Sequence, residues 1–87
     1  MRDNPVKTAL ASGGRAYGAM VFEFFSPGLP QICRNAGAEF VLYDMEHTGL
    51  SFETLKTQVA LCRGLDLVPM VRVPRGEYHF IARALDV

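Results

Sequence analysis

Apolar runs and segments of helical periodicity alternate along the chain. Three runs rich in β-branched and aromatic residues predict buried strands over residues 19–25, 40–44 and 67–73. Segments with apolar residues three and four positions apart predict helices over residues 29–35, 52–63 and 77–86. A further short helix is predicted ahead of the first strand, over residues 5–11. The alternation is typical of parallel βα units, which build either a doubly wound sheet or a barrel.

Capping residues support these helix boundaries. Asn4 and Pro5 suit the N-cap and first position of the leading helix, and Ser51 suits the N-cap of the third. Gly37 follows the second helix, where a left-handed residue often closes the last turn. The last helix is expected to pack four apolar residues against the domain: Phe80, Ile81, Ala84 and Leu85.

Size and charge limit the possible functions. The 87 residues are 49% hydrophobic and 21% charged, with nine acidic and nine basic residues. This is the composition of a small globular domain without the basic surface that nucleic acid or anionic lipid requires. The polar N-terminus and the lack of a long apolar run predict a cytoplasmic protein with no signal peptide or membrane segment. Cys33 and Cys62 lack zinc or redox spacing, so both are expected to be buried, reduced thiols.

Reactive side chains are expected where the central strand ends. The run from Phe40 to His47 changes abruptly from apolar residues to Asp44, Glu46 and His47. In folds of parallel strands, ligands bind beyond the carboxyl ends of the strands. His47 is therefore a candidate general base with carboxylates close by in sequence. The alternative is a histidine that caps a loop through hydrogen bonds.

Arg72 ends the neighbouring predicted strand on the same rim. A guanidinium there can hold a carboxylate with two hydrogen bonds or stabilise an oxyanion. Alternatively, Arg72 is a buried arginine paired with Asp44 or Glu46. A base and a cation at adjacent strand ends suit carbonyl or carboxylate chemistry, and the turns at residues 26–28 and 48–49 are expected to be the loop walls of such a site.

Two motifs, in this order, closely resemble the HpcH/HpaI aldolase and citrate-lyase family. They are Phe-Val-Leu-Tyr-Asp-Met-Glu-His at residues 40–47 and Val-Pro-Met-Val-Arg-Val-Pro at residues 68–74, each followed by a predicted helix. The resemblance implies an α/β fold with an N-terminal helix plus three βα units of a TIM-type (β/α)8 barrel, truncated before the fourth strand. Residues 1–87 would then be the N-terminal part of a single aldolase barrel domain, since a complete barrel needs eight units and about 250 residues.

The resemblance also implies an activity. Family members are class II aldolases, which use a divalent metal (Mg²⁺, Mn²⁺ or Co²⁺) to release pyruvate and an aldehyde from a 4-hydroxy-2-oxo acid. His47 matches the residue that takes the proton from the substrate hydroxyl, and Arg72 matches the residue that binds the substrate and stabilises the enolate oxygen. Asp44 matches an aspartate that shapes the site, and Asp86 matches a carboxylate that pairs with the histidine.

Asp86 and the metal both extend the expected site beyond one copy of this chain. A helix that follows a barrel strand returns to the opposite rim, so Asp86 can meet His47 only if another subunit completes the site. That arrangement predicts a homo-oligomer, and a solvated aspartate at a helix end is the alternative. The family's metal ligands are a Glu and an Asp on later strands, so this chain is expected to lack them and to be inactive alone.

Two other functions stay open. One is a lyase of the citrate-lyase type that acts on an acyl-thioester. The other is a non-catalytic, truncated fragment that associates with itself through the open edges of its sheet.

Overall fold

The computed structural model describes residues 2–87. In chain order the elements are α1 (Pro5–Ala11), β1 (Gly18–Val21), α2 (Leu29–Asn35), β2 (Phe40–Asp44), α3 (Phe52–Cys62), β3 (Val68–Arg72) and α4 (Tyr78–Asp86). The predicted order is confirmed, and only the end of β1 differs from its predicted position by more than one residue.

The three strands form one parallel sheet in the order β1-β2-β3. Met20, Leu42 and Met70 lie side by side at one level of the sheet. Asp44 and Arg72 lie opposite each other at the last paired position of β2 and β3. The parallel arrangement therefore brings the polar ends of β2 and β3 to the same edge of the sheet.

The α2 and α3 helices cover one face of this sheet. Val21, Val41 and Tyr43 point toward that face and are buried together with Cys33 of α2 and Leu55 of α3. Because neighbouring side chains on a strand point to opposite faces, the residues between them project to the other side. The hydrophobic core of the chain thus lies between the sheet and its helices.

The opposite face of the sheet is more open. Met20 is 40% exposed, and Leu42 and Met70 are only partly buried. A doubly wound sheet carries helices on both faces, whereas the strands of a barrel carry them on the outside alone. Among residues 2–87, the helices that contribute to the core lie on one face of β1–β3.

The β1 strand ends earlier than predicted. The aromatic residues at positions 22–25 favour an extended strand, but the chain leaves the sheet after Val21. Phe24 has a φ of 61°, which is incompatible with a strand, and the carbonyl of Phe25 accepts a hydrogen bond from Gln58 of α3 instead of from a neighbouring strand. The predicted extension to Phe25 was wrong because contacts with α3 override the local propensity.

The predicted helix caps are present. The Asn4 side chain accepts a hydrogen bond from the Lys7 N–H at 3.1 Å, and the Ser51 hydroxyl accepts one from the Thr54 N–H at 3.2 Å. Gly37 has a φ of 95° after the end of α2, as expected for a residue that closes a helix in the left-handed region. These local signals explain why most boundaries could be predicted closely.

The α4 helix packs less of its surface than predicted. Phe80 stacks on Phe52 of α3, with ring centroids 6.4 Å apart, and Ala84, one turn later, is partly buried. Ile81 is 43% exposed and Leu85 is 82% exposed, so the prediction that both pack against the domain was wrong. The helix is held through its Phe80 side, and residues one and five positions later point away from that side.

The state of the two cysteines and the absence of a membrane segment were both predicted from the sequence. Cys33 and Cys62 are both free and buried, as expected, and burial raises the pKa of each thiol. Across residues 2–87, the structure contains no helix with the length and apolar character needed to cross a membrane.

Candidate active site

Arg72 and Asp44 form a two-point ion pair at the carboxyl ends of their strands. Arg72 Nε donates to Asp44 Oδ1 at 3.0 Å, and Arg72 Nη2 donates to Asp44 Oδ2 at 2.6 Å. Asp44 is fully buried, whereas the side chain of Arg72 is 39% exposed. The pairing that the sequence left as an alternative is therefore present, and among residues 2–87 no hydrogen bond uses Arg72 Nη1.

Asp44 also fixes the loop that follows β2. Its Oδ1 accepts hydrogen bonds from the backbone N–H of Glu46 at 2.8 Å and of His47 at 3.3 Å. The Thr48 hydroxyl donates to the Asp44 carbonyl and accepts from the Leu50 N–H at 3.1 Å. Aspartate commonly holds a turn in this way because its short side chain reaches backbone groups two and three residues ahead. One buried carboxylate thus connects Arg72 to the backbone of His47.

The charges of this pair are strongly stabilised. The hydrogen bonds from Arg72 lower the pKa of Asp44 well below its usual range against the opposing effect of burial, and the Glu46 and His47 amides add to the lowering. The same hydrogen bond with Asp44 raises the pKa of Arg72. Both groups are therefore ionised across the physiological pH range.

His47 is exposed at the rim. Its side chain is 64% exposed, and its Nε2 lies 2.8 Å from Glu46 Oε1. The carboxylate beside the imidazole is therefore that of Glu46, which is itself 41% exposed. The His47 backbone N–H, and not its imidazole, binds Asp44, so the ring is available to a molecule in solution.

An open cavity of about 580 Å³ lies beside His47. Its lining comes from the loop after β1 and the loop after β2: Phe22, Glu23, Phe24, Phe25, His47, Thr48 and Gly49. Of the two turns predicted as loop walls, residues 48–49 line this cavity and residues 26–28 do not. Arg72 is not among the lining residues either, and its link to this cavity runs through Asp44.

The structure does not bring Asp86 to His47 within one chain. Asp86 is an exposed residue at the C-terminal end of α4. Its neighbour Leu85 lines a cavity with Leu67 and Val68, where β3 begins, so Asp86 lies toward the edge of the sheet opposite His47. The pairing of these two residues across a subunit interface stays a prediction.

The side chains at this rim do not fit a divalent metal ion. Among residues 2–87, no three His, Cys, Asp or Glu side chains come together in a metal-binding group. Both oxygens of Asp44 are engaged by Arg72, and Glu46 and His47 alone offer two donors where Mg²⁺ or Mn²⁺ requires about six ligands.

Sequence reasoning missed two contributors to this region. Gln58 is 1% exposed, although it was not predicted to be in the core. Its position, three residues after Leu55 and four before Cys62, places it on the buried stripe of α3, and this spacing was the available signal. Phe24 was assigned to a strand, and nothing in its local sequence indicates the left-handed backbone that it adopts.

The sequence and the fold of the chain are both similar to those of known aldolases. No family model matches the sequence. The chain is 34% identical, over 95% of its length, to a hydroxypyruvate/pyruvate aldolase from Roseovarius nubinhibens. It superimposes on an HpcH/HpaI aldolase from Desulfitobacterium hafniense with a TM-score of 0.87, 25% identity and 93% of the chain covered. An HpcH/HpaI aldolase/citrate lyase family protein from Burkholderia cenocepacia gives a TM-score of 0.79, with 26% identity and 97% covered.

The chain is a homologue of the HpcH/HpaI aldolase/citrate lyase family. The family identified from the two sequence motifs is thereby confirmed. The chain covers 32% of the R. nubinhibens protein, 31% of the D. hafniense structure and 34% of the B. cenocepacia structure. It therefore spans about a third of the length of the family members that it matches.

Proposed function

We propose that this chain supplies the base and the substrate-binding arginine of a pyruvate aldolase active site. The observation that carries the proposal is the buried carboxylate of Asp44, which binds Arg72 at two points and also holds the His47 backbone. A cation and a base held at adjacent strand ends by one shared group suit a reaction that removes a proton and develops negative charge nearby. The relatives that are named as aldolases support the same reaction class.

His47 is the proposed base. The substrate is a 4-hydroxy-2-oxo acid, and the imidazole takes the proton of its 4-hydroxyl group. The bond between carbons 3 and 4 then breaks, which releases carbon 4 as an aldehyde and leaves the electron pair as the enolate of pyruvate. Return of a proton to carbon 3 completes pyruvate. Glu46, whose Oε1 lies 2.8 Å from the imidazole, stabilises the imidazolium that forms.

Arg72 is the proposed anion-binding group. Its Nε and Nη2 both donate to Asp44, and its side chain is 39% exposed at the end of β3. A guanidinium held in this way keeps its orientation, so its remaining N–H groups can stabilise the enolate oxygen without rearrangement. Asp44 acts through Arg72 and the His47 loop and is a positioning residue.

The family resemblance implies a divalent cation, and we propose that its ligands come from outside residues 2–87. The chain would then act as part of a TIM-type barrel, with the uncovered face of β1–β3 turned toward the barrel interior. A second copy of the assembled protein would bring Asp86 toward His47, as the sequence predicts. The homologues' length, about three times that of this chain, supports a site that needs more polypeptide than these residues.

Pyruvate binding to the ¹⁵N-labelled 87-residue chain tests the proposal. We expect pyruvate to shift the Arg72 Nε–H and Gly49 amide resonances, because the carboxylate and oxo groups would contact the rim. The Arg72→Lys variant should lose the shift of the Gly49 amide, since an ammonium lacks the planar fork. Arg75→Lys is the matched control, because Arg75 is 75% exposed and, among residues 2–87, forms an ion pair only with Glu77. Equal responses in both variants would contradict the role of Arg72.

A further inference from the structure

The side chain of Gln58 crosses the interior of the domain and joins three elements. Its Nε2 donates to the carbonyl of Phe25 at 2.9 Å and to that of Ser26 at 2.8 Å. Its Oε1 accepts from the Tyr43 hydroxyl at 3.0 Å. Gln58 lies on α3, Tyr43 on β2, and the two carbonyls in the loop after β1. A single amide therefore connects a helix, a strand and a loop.

This network is fully satisfied although it is buried. Gln58 is 1% exposed and Tyr43 is completely buried, and burial raises the pKa of Tyr43, so its hydroxyl stays protonated and can donate. Both amide hydrogens and the amide oxygen of Gln58 are used. A buried amide is costly unless it is paired in this way, and an apolar residue would fill the same position without that requirement. The hydrogen bonds to Tyr43 and to the two loop carbonyls therefore explain why a buried amide is tolerated at this position.

The loop that Gln58 holds is strained and lies beside the candidate site. Phe24 has a φ of 61° although it is not glycine and its side chain is 82% exposed. No packing of the Phe24 side chain compensates for this backbone conformation, which costs about 1–2 kcal/mol for an ordinary residue. The next two carbonyls are those bound by Gln58. The same loop provides one wall of the cavity, and His47 lies on the other.

We propose that Gln58 is a positioning residue of the active site, whose buried amide holds the loop at residues 22–26 in its strained conformation as the cavity wall facing His47. The catalytic meaning of this role rests on the proposed aldolase function, whereas the hold on the loop does not. Loss of the amide should release the loop locally and leave the sheet intact. The loop wall would then lose its fixed distance from His47.

Limited chymotrypsin digestion of the 87-residue chain measures this hold. The loop contains three cleavage sites, at Phe22, Phe24 and Phe25, and Tyr78 on α4 is an internal reference site that is 85% exposed. We expect Gln58→Leu to speed cleavage in the loop about five- to thirtyfold, the effect of losing two hydrogen bonds. Cleavage at Tyr78 should not change. A parallel rise at both places would mean general destabilisation and would overturn the proposal.

Tyr43→Phe is the matched control. It removes the hydroxyl that binds Gln58 Oε1 but leaves both hydrogen bonds from Nε2 to the loop. Loop cleavage in this variant should stay close to that of the wild type. Faster loop cleavage in Tyr43→Phe than in Gln58→Leu would show that the hydroxyl, and not the amide, holds the loop.

Gln58→Glu keeps the test valid if the leucine variant does not fold. The introduced carboxylate still accepts from Tyr43 but cannot donate to the loop carbonyls, and it regains one O–H donor when protonated. The Ser26 amide resonance should therefore move from its wild-type position at neutral pH and return toward it on acidification. A Ser26 resonance that stays at the wild-type position at neutral pH would overturn the proposal. Failure of pyruvate binding with a normal loop response would count against the aldolase function alone.

Discussion

Arg72 binds both carboxylate oxygens of Asp44, at 3.0 and 2.6 Å, from the adjacent position on the neighbouring strand. The register of two parallel strands places these residues together, so the pair is a direct product of the fold. Because Asp44 Oδ1 also binds the His47 backbone, the arginine and the histidine are held relative to each other through one buried group.

The Asp44–Arg72 pair should make stability depend on acidic pH. The pKa of Asp44 is lower in the folded chain than its ordinary value of 3.8. Between these two pKa values, the folded state therefore binds fewer protons than the unfolded state. The contribution of this ion pair to the free energy of unfolding is therefore fully present above about pH 4 and is lost as the pH falls further. Thermal melts between pH 2 and 7 should show this loss in the wild type. Asp44→Asn should be less stable at neutral pH and should lose less on acidification; an unchanged pH profile in this variant would contradict the ion pair.

Phe24 should be a site where substitution increases stability. Asparagine tolerates the left-handed region far better than phenylalanine, and Phe24 is 82% exposed, so little packing is lost. We expect Phe24→Asn to raise the free energy of unfolding by up to about 1 kcal/mol in urea denaturation. Tyr17→Asn is the control, because Tyr17 is also exposed, at 67%, but has no positive φ. A gain in the control of the same size would remove backbone strain as the cause.

Leu55 and Leu85 should respond very differently to replacement by alanine. Leu55 on α3 is fully buried, so Leu55→Ala should cost about 2–5 kcal/mol of unfolding free energy. Leu85 is 82% exposed, and Leu85→Ala should change it by less than about 0.5 kcal/mol. A large cost at Leu85, measured at several protein concentrations, would show that another surface covers this residue in solution.

Both thiols should resist modification while the chain is folded. Cys62 is completely buried and Cys33 is 9% exposed, and burial raises the pKa of each, which lowers the fraction of reactive thiolate. Labelling with a disulfide reagent at pH 8 should be slow in native buffer and rapid in denaturant. Rapid labelling of the native chain would show that the cover formed by α2 and α3 opens readily.

Local signals made much of the fold predictable from the sequence. Asn4, Ser51 and Gly37 mark helix ends through backbone requirements that act within one turn, and these boundaries were predicted closely. The end of β1 was not, because the bend at Phe24 depends on Gln58, which is 34 residues further along the chain. Ile81 and Leu85 were assigned to the core because helical spacing identifies an apolar stripe but does not determine what covers it.

The candidate site was predictable to a similar degree. The position of polar residues at two strand ends was enough to bring Asp44 and Arg72 together, since parallel strands end at one edge. The sequence left open whether Arg72 pairs with Asp44 or with Glu46, and only the register of β2 and β3 decides between them. The cavity wall at residues 22–25 was missed because its shape depends on contacts between distant segments.

The most direct test of the aldolase proposal is turnover by a complete barrel that contains this chain. The 87 residues would replace the matching stretch of the R. nubinhibens aldolase, and pyruvate release from a 4-hydroxy-2-oxo acid would be followed with added Mn²⁺. The control is His79→Ala, since this histidine is 60% exposed and is not among the residues that line the cavity beside His47. Circular dichroism would establish that each variant is folded. We predict that His47→Ala lowers the rate by about a hundredfold or more while His79→Ala leaves it unchanged, whereas a folded, active chimera that is insensitive to His47→Ala would contradict the assignment of His47 as the base.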